Sequence, residues 1–323
     1  MLRYLARRLL WAAVVFLVST MVAFLIFFAT GQDPAARMAG KNATVEDVAQ
    51  VRHQLGLDQP LPLQYTSFLK RLVVDRSLGY SFGNRRPVNG QIWDSAQVTA
   101  SLVFGGLVVW LLISVPIGVL SALRPRSLGD RSSMLFVLAG ISAHPVWLGL
   151  LAVYFLGFKL DLFPLYGYAN PIHNPDPTGE QGFFPWISHL VMPWLTFAIL
   201  FAALYVRVIR AQVMETMNED YVRTARAKGA STRRVMGRHV LRNALLPVTT
   251  MIGLDVAAAL AGAVFTESVY GLPGLGKAAL DGINQADFPI TLGVVVFATV
   301  CVIVISLIVD IAYSFIDPRI RLE

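Results

Sequence analysis

The segment NEDYVRTARAKGASTRRVMGRHVLRNALLP fills residues 218–247 and lies between two strongly apolar runs. Asn218 suits the N-cap of a helix with an acidic first turn, and the basic last turn of that helix is followed by Gly229, a stop signal. A second helix can begin with Ser231 as its N-cap and continue to Pro247. The segment therefore predicts a short helix, a glycine hinge and a longer helix that leads into the next apolar run. An ordinary basic loop is the alternative interpretation.

The composition of the whole chain is that of a membrane protein. Of its 323 residues, 55% are hydrophobic and only 15% are charged, and the mean hydropathy is +0.60, whereas soluble domains are more polar. The net charge of +7 does not indicate nucleic-acid binding, because the basic residues flank apolar runs and form no basic face with interleaved aromatics. The single cysteine, Cys301, excludes an intrachain disulfide and a cysteine metal cluster.

Six runs with almost no charge are long enough to cross a bilayer, at about 20 residues per crossing. They cover residues 9–30, 98–123, 132–158, 181–206, 243–266 and 288–309. The first run follows three arginines and is too long for the apolar core of a signal peptide, so we predict an uncleaved first helix. We expect kinks at Pro116, Pro145 and Pro193. The sequence therefore predicts an all-α polytopic membrane protein with six transmembrane helices.

A polar segment of mixed charge separates the first run from the other five. Its fragments TVEDVAQVRHQLG and QYTSFLKRLVVD have helical patterns, so we predict a small folded insertion between helices 1 and 2. The expected organisation is residues 1–30 with the first helix, the insertion 31–97, and a core 98–323 that contains a basic loop at 207–244.

The distribution of Lys and Arg among the connecting segments predicts the orientation. On one side, segments 124–131, 207–242 and 313–323 contain three, nine and two basic residues. On the other side, the short segments 159–180 and 267–287 contain one each. The positive-inside rule therefore places both termini and the basic loop in the cytoplasm. The insertion, with eight basic residues, is then extracytoplasmic, because the rule weakens in loops longer than about 60 residues.

The sequence GLPGLGKA at residues 271–278 resembles the phosphate-binding pattern G-x-x-x-x-G-K-[ST]. Ala278 has no hydroxyl to ligate magnesium, no buried strand precedes the loop, and the predicted topology places it outside the cell, away from ATP. We therefore interpret it as a glycine-rich turn after the fifth helix rather than as a nucleotide site.

Acidic residues within apolar runs are candidates for function, because an unpaired charge is costly there. Asp255, in the fifth run, is a candidate proton or cation site of an ion-driven secondary transporter, or else a polar group that faces a wet pathway or pairs within the bundle. Asp310 is interpreted as interfacial. Ala258 and Gly262 belong to a stretch of small residues that predicts close helix packing or a pathway lining. No residues have the spacing of a catalytic or metal centre, so we predict no enzyme activity.

Four stretches resemble the permease subunits of bacterial ABC importers for dipeptides, oligopeptides and nickel, over nearly the whole chain. They are MLRYLARRLL with GQDP, LGLDQPLPLQY and SLGYSF in the insertion, DYVRTARAKGAS followed by RHVLRNALLP in the basic loop, TESVYGLPGLG after the fifth helix, and DIAYSFIDPRIR at the end. Their order and spacing are specific to the first-permease type, which has a long outer segment.

Two stretches depart from the family pattern. Where the wider superfamily has Glu-Ala-Ala, this chain has Arg223, Thr224 and Ala225, a variation found in the peptide branch. The insertion reads GQDP and DRSLGYSF where the family more often has Pro-Gly-Asp-Pro and a Gly-Asp-Leu-Gly run. The resemblance implies a permease subunit that forms part of the translocation pathway for di- or oligopeptides, while nickel chelates and glycosides stay open as substrates.

The resemblance implies a type I ABC importer fold and a helix, Glu219 to Lys228, that docks on a separate ATPase through Tyr221, Val222 and Ala225. The implied ATPase-coupling residues are Asp220, Tyr221, Val222, Thr224, Ala225, Lys228 and Gly229. The implied outer turn contains Glu267, Pro273, Gly274 and Gly276.

The resemblance also implies a location in a bacterial cytoplasmic membrane and a set of partner molecules. The expected partners are membrane lipid, a second similar permease, two cytoplasmic ATPase subunits or domains and an extracytoplasmic substrate-binding protein. ATP and Mg are expected on the ATPase partners, and no cofactor is expected on this chain.

Overall fold

The computed structural model describes residues 2–29, 34–39, 43–54, 56–171, 182–260 and 263–316, and these residues form helices and connecting turns without a β-strand. In chain order the α-helices α1 to α15 are Leu2–Ala29, Pro34–Ala39, Val45–Gln54, Leu61–Val73, Val88–Leu123, Leu128–Ser142, Pro145–Ala152, Phe183–Met217, Asp220–Ala227, Thr232–Arg234, Arg242–Ala244, Leu246–Leu260, Val264–Tyr270, Leu275–Asn284 and Phe288–Ile316. Two π-helical segments accompany them: Val153–Lys159 continues α7, and Val235–Leu241 joins α10 to α11.

Among the described residues, four helices are long and apolar enough to cross a membrane: Arg7–Ile26 in α1, all of α5 and α8, and Phe288–Val309 in α15. Two helix pairs pass the same test as bent units. One is α6 with α7 and its π-helical continuation, bent by 105°, and the other is Thr232–Ala244 with α12, bent by 45°. Counting each pair as one span gives six, in agreement with the predicted number.

The third predicted span, residues 132–158, is broken and not merely kinked. Helix α6 ends at Ser142, Ala143 is extended, and His144 caps α7 by accepting a hydrogen bond from the Val146 N–H at 3.3 Å through Nδ1. Pro145 is the first residue of α7. Proline cannot donate a backbone hydrogen bond and disfavours a helical conformation in the residue before it, so a sharp break occurs here. Helices α5 and α8 continue through their internal prolines.

The centre of the bundle is formed by α5 and α8, which pack along each other. Trp110 of α5 is fully buried and stacks on Phe201 of α8 with ring centroids 4.6 Å apart. A Cβ atom at Gly118 would lie 2.9 Å from the Ile209 side chain, so glycine permits the close approach of the two helices. Helices α6, α12 and α15 contact this pair from outside.

Both helical fragments predicted in the insertion are present, as α3 and α4. Thr44 and Asp47 form a reciprocal cap at the start of α3: the Thr44 N–H donates to Asp47 Oδ2 at 2.9 Å, and the Asp47 N–H donates to Thr44 Oγ1 at 3.2 Å. Tyr65 of α4 makes a hydrogen bond of 2.9 Å to Thr20 Oγ1 of α1. Helix α4 is therefore fixed directly against the first membrane span.

Candidate functional site

The basic loop opens with a tight turn between α8 and α9. Asn218 caps the C-terminus of α8, and its N–H donates to the Glu215 carbonyl at 3.0 Å. Glu219 occupies the N-cap of α9 in an extended conformation. The prediction that Asn218 caps the short helix is therefore wrong by one residue, because α8 continues up to that position.

The end of α9 is a glycine turn, as the sequence predicts. Lys228 is the C-cap, and Gly229 follows with φ +78°, in the left-handed region that favours glycine. Among the described residues, no atom beyond the chain neighbours of Gly229 lies within 4 Å of the position that its Cβ would take, so the requirement for glycine comes from the backbone conformation. Ser231 then occupies the N-cap of α10, where it was predicted.

The apolar side chains of α9 face the protein's own core. Val222 is 0% exposed and belongs to the same buried cluster as Val213 of α8 and Val235 and Val240 of the following π-helical segment. Ala225 is half-buried and packs against that cluster. The prediction that Val222 and Ala225 are docking side chains is therefore corrected. Both lie on the inward side of α9 and hold it in place by packing against the core.

The outward side of α9 is polar and aromatic. Asp220, Tyr221, Thr224 and Lys228 are exposed, and the exposed fraction of Tyr221 is 41%. The Tyr221 hydroxyl accepts a hydrogen bond of 2.8 Å from Asn243 Nδ2, which ties α9 to α11. Helix α9 is therefore held in position by two sets of contacts: the packing of its buried side and the hydrogen bond from Asn243.

The segment after α9 is less regular than the single helix that the sequence predicts. It passes from α10 through the π-helical segment to α11, and bends by 45° before α12. Pro247, the second residue of α12, has no N–H to donate to the preceding turn, which accounts for the interruption at Leu245. Between Thr232 and Leu260 the chain is helical except at Leu245, so a movement of α9 passes through the turn at Gly229 and then along these helices to α12.

A buried ion pair joins α6 to α8 near the basic loop. Arg210 Nε donates to Asp130 Oδ1 at 2.7 Å, and its terminal nitrogen donates to Asp130 Oδ2 at 3.0 Å. The exposed fractions of the two side chains are 24% for Arg210 and 6% for Asp130. Asp130 also accepts hydrogen bonds from the Ser121 hydroxyl and from the Arg126 N–H at 2.8 Å. Three helices, α5, α6 and α8, are thereby connected by one carboxylate.

This ion pair was not predicted from the sequence. Asp130 and Arg210 lie 80 residues apart, and each occurs in a basic connecting segment where a charged residue is unremarkable. The signal present in the sequence is that Asp130 is the single acidic residue among the three arginines of segment 124–131.

The glycine-rich turn between α13 and α14 is organised around the fully buried carboxylate of Glu267. Its Oε1 accepts a hydrogen bond of 2.7 Å from Thr99 Oγ1 of α5, and its Oε2 accepts one of 2.9 Å from the Lys277 N–H. Burial raises the pKa of Glu267, and hydrogen bonds from Thr99 and from the Lys277 and Gly276 N–H groups oppose this shift. Glu267 therefore fastens the turn to α5.

The glycines of this turn are required by close contacts. A Cβ at Gly274 would lie 2.3 Å from the Glu267 carboxyl carbon, and a Cβ at Gly276 would lie 2.7 Å from the Val264 backbone nitrogen. Pro273 precedes Gly274, which is the N-cap of α14. The residues of GLPGLGKA therefore build a compact turn around the Glu267 carboxylate, which takes up the backbone N–H groups that a phosphate-binding loop would offer to a phosphate.

Asp255 has a partner within the bundle. The Tyr205 hydroxyl donates to Asp255 Oδ2 at 2.6 Å. Asp255 is half-buried, and Ala258, one turn further along α12, is exposed; Gly262 lies outside the described residues. In the part of the chain that the structure describes, no three His, Cys, Asp or Glu residues come together as a metal site.

These features define a class of protein: an α-helical protein with several membrane spans, whose basic loop contains a short helix with a polar outer face. Comparison with known families agrees with this class. The description "Binding-protein-dependent transport system inner membrane component" matches residues 114–322, and its N-terminal counterpart matches residues 1–103. The chain belongs to this family of transport-system permeases.

Known relatives match the chain along its whole length. A putative peptide permease protein of Brucella ovis is 36% identical, with 99% of each chain covered. The dipeptide transport system permease protein DppB of Alkalihalophilus pseudofirmus is 34% identical over 99% of this chain and 100% of its own. DppB of Escherichia coli is 32% identical, with 99% of each chain covered.

A solved structure shows the same fold. A chain of the MetNI methionine ABC transporter in inward-facing conformations superimposes with a TM-score of 0.54 and 15% identity, covering 71% of this chain and 97% of that chain. The predicted fold, that of a type I ABC importer permease, is thereby confirmed. The ion-driven alternative built on Asp255 has no support among these relatives.

Proposed function

We propose that the chain carries peptides, as one half of a translocation pathway that a separate ATPase drives. The relatives that match it from end to end are named as peptide or dipeptide permeases. The observation that carries the coupling part of the proposal is the placement of α9, whose apolar side is buried in the core while its polar side is exposed.

The exposed side of α9 is the proposed docking surface for the ATPase. Tyr221 and Thr224 make the contact, with Asp220 and Lys228 at its edges. Val222 anchors α9 to α8, so that a displacement of α9 by the ATPase reaches the bundle through packed side chains and not through a flexible loop. ATP and Mg are bound by the ATPase partners.

In the proposed topology both termini and the basic loop are cytoplasmic, and the insertion is extracytoplasmic. A second, similar permease completes the pathway, two ATPase subunits or domains bind on the cytoplasmic side, and a substrate-binding protein delivers peptide outside. Asp255 and Ala258 of α12 are placed on the pathway or the permease interface, because a half-buried carboxylate is costly against lipid. Glu267, Pro273, Gly274 and Gly276 hold the outer turn.

The test is peptide uptake by proteoliposomes that contain this chain, its permease partner and the ATPase subunits, with the external binding protein added. We expect uptake of a labelled dipeptide only when ATP is present on the ATPase side. A proton or sodium gradient applied to the two permeases without the ATPase should give no uptake.

The matched control for this test is the same complex with ATPase subunits that cannot hydrolyse ATP. Uptake of the labelled dipeptide by this control should fall to background. Gradient-driven uptake without the ATPase would overturn the proposal in favour of a secondary transporter. ATP-driven uptake of a non-peptide substrate, with dipeptides excluded, would retain the ABC mechanism and refute the peptide assignment.

A further inference from the structure

We propose that a cavity between the insertion and the ends of α1 and α15 binds one anionic phospholipid. The cavity has a volume of about 830 Å³, within the range of about 300 to 1,000 Å³ that is usual for ligand sites. It is lined by residues of α1, of the segment that joins α3 to α4, of α4, of the loop after α4 and of α15.

The floor of the cavity is apolar and aromatic. Phe24 of α1, Phe68 of α4, and Phe288 and Leu292 of α15 all line it. The rings of Phe24 and Phe288 meet edge to face, 5.7 Å apart, and Phe68 and Leu292 are buried in a small apolar cluster separate from the main core. A floor of this kind accommodates an acyl chain.

The wall of the cavity above this floor is basic. Lys70 and Arg71 of α4 line it together with Arg85 and His53, and Asp75 is the one acidic residue among the described residues of the lining. The lining therefore carries a surplus of positive charge beside an apolar floor, since three basic residues outnumber one acidic residue: Lys70, Arg71 and Arg85 against Asp75. This combination is complementary to a phosphate headgroup attached to an acyl chain.

The cavity adjoins a candidate membrane span. The Tyr65 hydroxyl of α4 donates to the Leu17 carbonyl at 3.0 Å, and Leu17 belongs to the candidate span Arg7–Ile26. Helix α4 therefore lies beside the span and not above it. Val73, the last residue of α4, is 69% exposed, as expected of an amphipathic helix in contact with lipid.

The wall of the cavity is held rigidly by Asp287. Its Oδ1 accepts a hydrogen bond of 3.1 Å from the Phe82 N–H, and its Oδ2 accepts one of 3.0 Å from the Gly83 N–H and another from the Ser81 hydroxyl. On the opposite side, Gln64 Nε2 donates to the Gln59 carbonyl at 2.7 Å. The site is therefore formed before a ligand enters it.

The position of the cavity favours a lipid over the transported substrate. Its floor belongs to a peripheral cluster around α1 and α15, and α1 is the least buried of the candidate spans, with 11% of its window buried. This region is therefore at the periphery of the bundle, whereas the main core lies between α5 and α8. The inference stands apart from the coupling role of α9 and from the identity of the substrate.

The test is native mass spectrometry of the purified, delipidated complex titrated with phosphatidylglycerol. We expect one tightly retained molecule, and we expect the double variant Lys70→Gln/Arg71→Gln to weaken its binding at least about 5-fold, since basic side chains near an anionic headgroup attract it. The charge-preserving variant Lys70→Arg/Arg71→Lys should retain it. Glycerol phosphate, which has no acyl chains, should bind neither the unaltered complex nor the two variants.

The matched control removes two exposed positive charges outside the cavity, Arg86→Gln/Arg131→Gln, and should bind phosphatidylglycerol like the unaltered complex. Equal retention by the cavity variant and this control would overturn the proposal, as would equal retention of phosphatidylcholine. Unchanged lipid binding with a weakened affinity for the external binding protein would identify the cavity as a protein-docking surface instead. Because lipid retention is measured without transport, its failure is distinguishable from failure of the proposed function.

Discussion

Replacement of Gly229 by valine is expected to reduce ATP-dependent uptake at least about 10-fold while the complex still assembles in the membrane. Gly229 has φ +78°, where an L-residue is strained by about 1 to 2 kcal/mol and a β-branched residue by more. The strain is relieved when the turn after α9 opens. Since 1.4 kcal/mol corresponds to a factor of ten in an equilibrium, the strain raises the ratio of open to closed turns about tenfold or more, and α9 loses its fixed position in the open form.

The matched control is Gly229→Asn. Asparagine tolerates the left-handed conformation, and among the described residues no atom beyond the chain neighbours lies within 4 Å of the added Cβ, so this variant should keep more than about half of the uptake. Uptake and ATP hydrolysis are measured on the same proteoliposomes, and the valine variant should hydrolyse ATP without proportional uptake. Normal coupling in both variants would show that the turn at Gly229 does not position α9.

Replacement of Asp130 by alanine is expected to destabilise the protein by about 2 to 3 kcal/mol. Removing one partner of a buried ion pair costs about 3 to 5 kcal/mol, and the 24% exposure of Arg210 reduces this because water reaches the remaining charge. The Ser121 hydroxyl and the Arg126 N–H lose their acceptor as well. The loss is read as a lower unfolding midpoint of the purified complex in detergent.

The double variant Asp130→Ala/Arg210→Ala distinguishes an orphaned charge from simple loss of contacts. If the unpaired arginine causes most of the damage, the double variant should be more stable than Asp130→Ala alone. A double variant that is less stable than the single variant would show that packing of the Arg210 side chain, and not its charge, dominates at this junction of α5, α6 and α8.

The number of spans and the hinge at Gly229 were predictable because they depend on local sequence. Apolar runs of sufficient length mark the spans, and a glycine after a basic last turn marks the end of α9. The break at Pro145 was foreseen only as a kink, because sequence locates a proline but does not tell how far the chain turns there. The bend before α12 has the same origin at Pro247.

The inward direction of Val222 was not predictable from the sequence. In a helix as short as α9, a valine can pack either into a groove of a partner or into the protein's own core. Only the position of α8 and of the π-helical segment decides between the two. Contacts across long separations were missed for the same reason. Glu267 and Thr99 are 168 residues apart, and nothing in the sequence near either residue identifies the other.

The central claim, that the outward side of α9 contacts an ATPase, is tested most directly by site-specific photocrosslinking in the assembled complex. A photoreactive side chain placed at Thr224 should form a covalent adduct with the ATPase subunit. The same group at Val45, which is exposed on the insertion, should form none. An active complex that gives no ATPase adduct from Thr224, or one that gives it equally from Val45, would contradict the account.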